Sequence, residues 1–167
     1  MLKRGYGRII NISSLFGKVA TPQLPISTYN TVKGGVINLT RGAAAEWAKN
    51  GITVNCICPG WFESESNSPE SMEALGPWIN ERTPMGRAGV PGELDTTVIY
   101  LAADESTYVT GAIISCDGGW TCCLIPRSAG VTCSMMGFHF VLQCDSQNNN
   151  SIWYVERRLL MATGMLK

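Results

Sequence analysis

SSLFGKVATPQLPISTYNTVK, residues Ser13–Lys33, decides how the rest of the chain is read. A hydroxyl pair, Ser13 and Ser14, closes the apolar run Arg8–Ile12. A loop carrying Pro22 and Pro25 follows, and then Tyr29 and Lys33 stand four residues apart at the start of a helix-like segment. One turn of helix places both on the same face. An ammonium within a few ångströms of a phenol favours the phenolate and lowers its pKa from about 10. A tyrosine tuned in this way exchanges a proton with an alcohol or carbonyl oxygen near neutral pH. Ser14, brought alongside by the loop, can hydrogen-bond the same oxygen. By itself Tyr-x-x-x-Lys is a weak motif, and an exposed pair at this spacing is usually a solvated helix face. The surroundings therefore decide.

Upstream, residues 1–6 read as the end of a helix running into a turn at Gly5 and Gly7. The short β-branched run Arg8–Ile12 reads as a strand buried on both faces, with Ser13 and Ser14 at its carboxyl end. Downstream, Thr28–Lys49 reads as a long helix, with Ser27 or Thr28 as its cap and Asn50-Gly51 as its stop. Val32, Val36, Leu39, Ala43 and Trp47 recur at helical spacing as its apolar stripe. Gly34 and Gly35 cost about 1 kcal/mol each inside a helix, so close packing or a poorly formed first turn is expected there. Ile52–Ile57 is a second buried strand, ended by Pro59 and Gly60. Strand, helix and strand in this order make a crossover unit with parallel strands.

Residues 61–84 show little periodicity and read as a loop with short helices, a common place for a substrate lid. Glu63, Glu65, Glu70 and Glu73 crowd this stretch and are expected to face solvent. Pro91–Ala103 reads as a helix turning Leu94, Val98, Ile99 and Leu101 inward. Ala112–Cys116 is a third strand, and Asp117-Gly118-Gly119 turns the chain. After Trp120 the periodicity fades; only Ile152–Met161 reads as a short helix.

The 167 residues suffice for one domain, and 45% hydrophobic with 16% charged residues suits a globular protein. Thirteen basic and thirteen acidic side chains cancel. A zero net charge argues against nucleic acid or an anionic membrane as a partner. No apolar run reaches the length of a transmembrane helix. Seven cysteines with a single histidine match no zinc spacing, so no metal is expected. With an odd number of cysteines, a reducing compartment, the cytoplasm, is the simpler reading.

Several separate segments then agree: GRIINISS, YNTVKGGVINLTRGAAAEWAKNGITVN, PGW, RTPMGRAGVPGEL and VTGAIISCDGGW. In this order they resemble the short-chain dehydrogenase/reductase family over residues 1–120. The resemblance implies an α/β, Rossmann-like three-layer fold with a parallel sheet. It also implies that only the C-terminal half of the domain is present, truncated at the N-terminus. The family's glycine-rich cofactor loop, its cofactor selector and an Asn of its proton relay have no counterpart here. About 120 residues are missing by this comparison. Residues 121–167 match nothing in the family. They form an unassigned tail, disordered or not, read either as a genuine extension or, preferably, as readthrough of a misassembled gene.

Carried over residue by residue, the resemblance makes Tyr29 the general acid or base and Ser14 the group that orients and polarises the substrate oxygen. Lys33 then assists Tyr29 and holds the nicotinamide ribose. The Pro59-Gly60 corner brings the backbone near Phe62 to the nicotinamide carboxamide. Ser64 stands where a threonine often holds that carboxamide or a phosphate. The implied cofactor is NAD or NADP. The implied reaction exchanges a hydride with an alcohol or carbonyl of a small molecule. The segment WINERTPMGRAGVPGEL looks most like gluconate 5-dehydrogenases, with 3-oxoacyl carrier-protein reductases close behind, so a sugar acid or polyol is favoured. The alternative is a truncated, catalytically silent fragment without cofactor binding. Either way a homo-oligomer is expected if the chain folds, through the Thr28–Lys49 helix and the Pro91–Ser115 region.

Overall fold

The computed structural model describes residues 1–64, 67–123, 139–143 and 154–158. The chain divides into two compact units, Met1–Ala129 and Gly130–Lys167. The first unit opens with a single 3-10 turn, Leu2–Arg4, ended by Gly5 at φ 63°. Strand β1, Gly7–Ile12, leads into helix α1, Ser27–Trp47. Strand β2, Ile52–Pro59, lies parallel to β1, with Gly7 opposite Ile52 and Ile12 opposite Ile57. Helix α2 spans Pro69–Arg82 and helix α3 spans Asp95–Ala102. Strand β3, Ile113–Cys116, pairs in parallel with the far edge of β2, Cys56 opposite Ile113. The sheet order is β1-β2-β3. In the second unit, β4, His139–Gln143, pairs antiparallel with β5, Tyr154–Arg158. The short helix expected over Ile152–Met161 is therefore a strand across its described residues.

Central β2 is buried on both faces, as its unbroken apolar run requires. Ile52 and Val54 pack with Ala43 and Ala44 of α1, and Cys56 and Cys58 pack with Ile37. Burial pushes the Cys58 thiol up to about 11, beside a second thiol at Cys56. On the opposite face Asn55 pins the entry to β3. Its amide donates to Val109 O at 2.8 Å and its side-chain oxygen accepts from Ala112 N at 3.0 Å.

Strand β1 is less buried than expected. Gly7 is covered, Arg8–Asn11 are half-buried, and Ile12 is exposed. It is the edge of the described sheet, so only one neighbour shields it. The stripe of α1 is also displaced. Its buried residues are Ile37, Thr40, Ala43 and Ala44, while Val32 and Leu39 are 59% and 64% exposed. Small residues let the helix approach β2, and Thr40 meets its polar need locally. Its hydroxyl donates to Val36 O at 2.8 Å and accepts from Asn11 Nδ2 at 3.0 Å.

Three boundaries differ from the sequence reading. Ile26, not Ser27 or Thr28, is the N-cap of α1, and no side chain caps it. Helix α2 runs 14 residues as one piece, capped by Ser68 and opened by Pro69, although Pro77 lies inside it. Helix α3 begins at Asp95 because Gly92, at φ 92°, turns the chain first. Of the four side chains expected inward, Leu101 is buried and Leu94 half-buried, while Val98 and Ile99 are exposed.

Candidate active site

The carboxyl ends of β1 and β2 open onto a cavity of about 780 Å³. Ligands bind at this end of open α/β sheets. Ser14, Tyr29, Lys33, Pro59, Gly60, Phe62 and Ser64 all line it. The structure thus brings to one cavity the seven residues expected to touch substrate or cofactor.

Ser14 caps the 3-10 turn Leu15–Gly17. Its buried Oγ accepts from Phe16 N at 3.1 Å. That bond uses a lone pair and leaves the O–H for a ligand oxygen. Its neighbour Ser13 faces α1 instead, donating from Oγ to Lys33 O at 2.8 Å. Successive strand residues alternate in direction, which separates the two hydroxyls. Gly17 closes the joint: a Cβ there would lie 2.7 Å from Ser13 Oγ and 2.8 Å from Lys33 O. Only a residue without a side chain lets the loop pass so close to α1.

Tyr29, 44% exposed, offers its ring and hydroxyl from the first turns of α1. Lys33 Nζ stands 5.6 Å from the centre of that ring, within cation–π range. The same ammonium donates to Ile12 O at 3.3 Å, the carbonyl just before the serine pair. One helix turn and one strand end therefore set the relation of Lys33, Tyr29 and Ser14.

The opposite wall starts at the Pro59-Gly60 corner. A Cβ at Gly60 would meet Asp117 Cα at 2.7 Å, so β2 and the turn after β3 touch backbone to backbone there. Phe62 forms a parallel bridge with Gly89, and Ser64 an antiparallel bridge with Asn67. Asn67 Nδ2 donates to Phe62 O at 3.1 Å, tying the loop to itself. Helix α2 contributes Ser71 and Leu75 to the lining. Glu63, Glu70 and Glu73 are exposed as expected, while Glu65 lies outside the described residues. Glu63 nonetheless borders the cavity, as does Asp95.

Sequence reasoning assigned no role to Trp61, which is buried between Phe16, Trp78 and Trp120 at ring distances of 5.8, 5.6 and 6.0 Å. Trp61 also borders a second cavity of about 330 Å³ toward Thr83, Arg87 and Gly118. The available signal was its position, directly after the turn that ends the central strand.

Residues 1–121 match the family profile described as Enoyl-(Acyl carrier protein) reductase. The chain belongs to the short-chain dehydrogenase/reductase family. Within this family it is 41% identical over 123 residues to a galactitol 2-dehydrogenase (L-tagatose-forming) of Cereibacter sphaeroides, covering 72% of this chain and 48% of that protein. It is 40% identical over 119 residues to an acetoacetyl-CoA reductase of Rhizobium meliloti, covering 71% and 48%. The crystal structure of a gluconate 5-dehydrogenase from Burkholderia cenocepacia in complex with NADP and tartrate superposes with a TM-score of 0.69. It is 40% identical, covering 74% of this chain and 48% of the other. The chain thus spans about half the length of the family members it matches. Among its described residues no helix is long and apolar enough to cross a membrane.

Proposed function

We propose that this chain carries the proton-transfer half of a nicotinamide-dependent oxidoreductase site acting on an alcohol or carbonyl. The observation that carries this reading is the cavity in which Ser14, Tyr29 and Lys33 meet the Pro59–Ser64 loop. The donor set suits the nicotinamide–ribose end of NAD or NADP. Lys33 and Tyr29 would hold the ribose hydroxyls. The backbone near Phe62 and the Ser64 hydroxyl would meet the carboxamide. A dinucleotide held there would supply or accept the hydride. Tyr29 Oη gives the substrate oxygen a proton during reduction and removes it during oxidation. The Ser14 O–H donates to the same oxygen, and the Lys33 ammonium lies over the Tyr29 ring, 5.6 Å from its centre.

The family resemblance favours sugar acids and polyols, and the relatives include proteins named for both. Among the cavity's described lining, Lys33 is the one basic side chain, against the acidic Glu63 and Asp95. This balance favours a neutral polyol over an anionic sugar acid. Exposed Val32 and Leu39 on α1, with Val98 and Ile99 on α3, support a homo-oligomer.

A second reading, a catalytically silent domain, is favoured by a different observation. No G-x-G-x-x-G follows a strand in these 167 residues, so none of them forms the glycine-rich turn that holds a dinucleotide's pyrophosphate. Calorimetric titration with NAD and NADP, paired with hydride-transfer assays on galactitol and gluconate, separates the readings. The expected outcome is dinucleotide binding weaker than micromolar. Any turnover, in this chain or in one joined to a glycine-rich half, should favour galactitol. Tyr29→Phe should lower that turnover about 10²–10⁴-fold with the fold intact. An undiminished rate in that variant would overturn the assignment of Tyr29. Absence of turnover in the joined protein would establish the silent domain.

A further inference from the structure

The chain after β3 presents a cluster that the oxidoreductase site does not use. Gly119, at φ 89°, starts the 3-10 turn Trp120–Cys122. Asp117 holds this turn by accepting from Gly119 N and Thr121 N, both at 3.0 Å, and from the Thr121 hydroxyl. Trp120 is buried and anchors the turn from below. Cys122 and Cys123 follow, both free and exposed, with their sulfurs 3.7 Å apart. The Cys122 thiol donates to Gly119 O at 3.0 Å, which turns it back over the anchored loop.

Two adjacent thiols in this setting close poorly on each other. A disulfide joins Cα atoms usually about 4.4–6.8 Å apart, whereas consecutive residues across a trans peptide are only about 3.8 Å apart. The bond would be strained and readily reduced. A single larger centre bonded to both sulfurs avoids that strain, because the sulfurs need not touch. We propose that Cys122 and Cys123 form a dithiol site for thiophilic centres that accept two sulfurs, of which trivalent organoarsenicals are the chemical class. In the capture step an arsenic carrying two hydroxyls loses both. Two As–O bonds break, two As–S bonds form, and each thiol proton leaves with one hydroxyl as water. Arsenic stays trivalent, so no oxidant or reductant is required. The second sulfur attacks within the same molecule, and effective concentration makes the pair far tighter than one thiol.

Phenylarsine oxide is the probe, with the full chain and intact mass spectrometry. The expected result is one phenylarsenic group per chain, retained against excess glutathione and released by a dithiol such as dithiothreitol. Cys122→Ser and Cys123→Ser should each weaken capture about 100-fold or more, the scale of lost bivalence. Cys133→Ser and Cys144→Ser should leave it unchanged. Both thiols of the pair are exposed, so circular dichroism should show Cys122→Ser and Cys123→Ser folded like the parent. Capture that survives Cys122→Ser, that depends on Cys133 or Cys144, or that glutathione reverses would overturn the proposal.

Discussion

The two walls of the cavity are built by different physics. On the β1–α1 side, position is set by directional bonds. Ser13 Oγ reaches Lys33 O, Lys33 Nζ reaches Ile12 O, and Ser14 Oγ takes Phe16 N. On the α2 side, position is set by apolar packing. Trp61 stacks edge-on with Phe16 and Trp78, and Trp120 closes the group. Hydrogen bonds tolerate little angular error, while a packed aromatic cluster specifies shape and resists deformation as a block. The first wall therefore fixes the direction of its polar groups. The second fixes the shape of the cavity's far side and supports the fold.

Changing the centre of the aromatic wall should have the largest effect on stability. Trp61→Ala removes a buried indole and three ring contacts, for a cost of about 3–5 kcal/mol. That is a large share of the roughly 5–15 kcal/mol that holds a domain together. A clear fall in the urea midpoint of Trp61→Ala, beside an unchanged midpoint for the exposed Tyr29→Phe, is the expected pair of results. Equal midpoints for Trp61→Ala and the parent would show that the cluster covers the cavity without supporting the fold.

A smaller substitution sharpens the other half of the comparison. In Gly17→Ala the new methyl must push aside Ser13 Oγ or the Lys33 carbonyl, both under 3 Å from its position. Overpacking of this kind costs about 1–3 kcal/mol. The strain falls on the bonds that orient α1, so turnover should fall by more than the stability loss explains, with KM little changed. A loss of stability with turnover intact would separate the Ser13–Lys33 joint from the site it adjoins.

What could be read in advance follows the same division. The strands at Gly7–Ile12, Ile52–Pro59 and Ile113–Cys116 were legible because β-branched runs bounded by glycine and proline have few alternatives. That Ser14, Tyr29 and Lys33 would face one cavity was legible because one helix turn and one strand end place them. Side-chain burial on α1 was not. Two overlapping stripes satisfy its periodicity, and contact with β2 selects the one through Ala43, Ala44 and Thr40. Helix α3 misled for a local reason, since Gly92 adopts a conformation that a leading proline at 91 does not announce. The Trp61 cluster joins residues 16, 61, 78 and 120, and no local pattern links segments so far apart.

The smallest expected effect lies at the rim of the packed wall, where residues 87–93 are tied by one exposed ion pair. Arg87 donates to both carboxylate oxygens of Glu93, at 2.7 and 2.8 Å, and Val90 N donates to the same side chain at 2.8 Å. The Arg87 hydrogen bonds, then that of Val90, hold the Glu93 carboxyl down to about 2 from an ordinary 4.5. The folded state thus binds the Glu93 proton more weakly than the unfolded chain does. Its stabilising contribution is complete above about pH 4.5 and is lost as pH falls through the folded value near 2. Solvent screens an exposed pair, so the effect is small beside those of Trp61 and Gly17. Glu93→Gln should lower the urea midpoint slightly at pH 6. The gap from the parent should narrow steadily between pH 4.5 and pH 2, because protonation removes from the parent what the substitution has already removed. A gap that stays constant over that range would show that Glu93 holds the Val90–Asp95 rim by shape and not by charge.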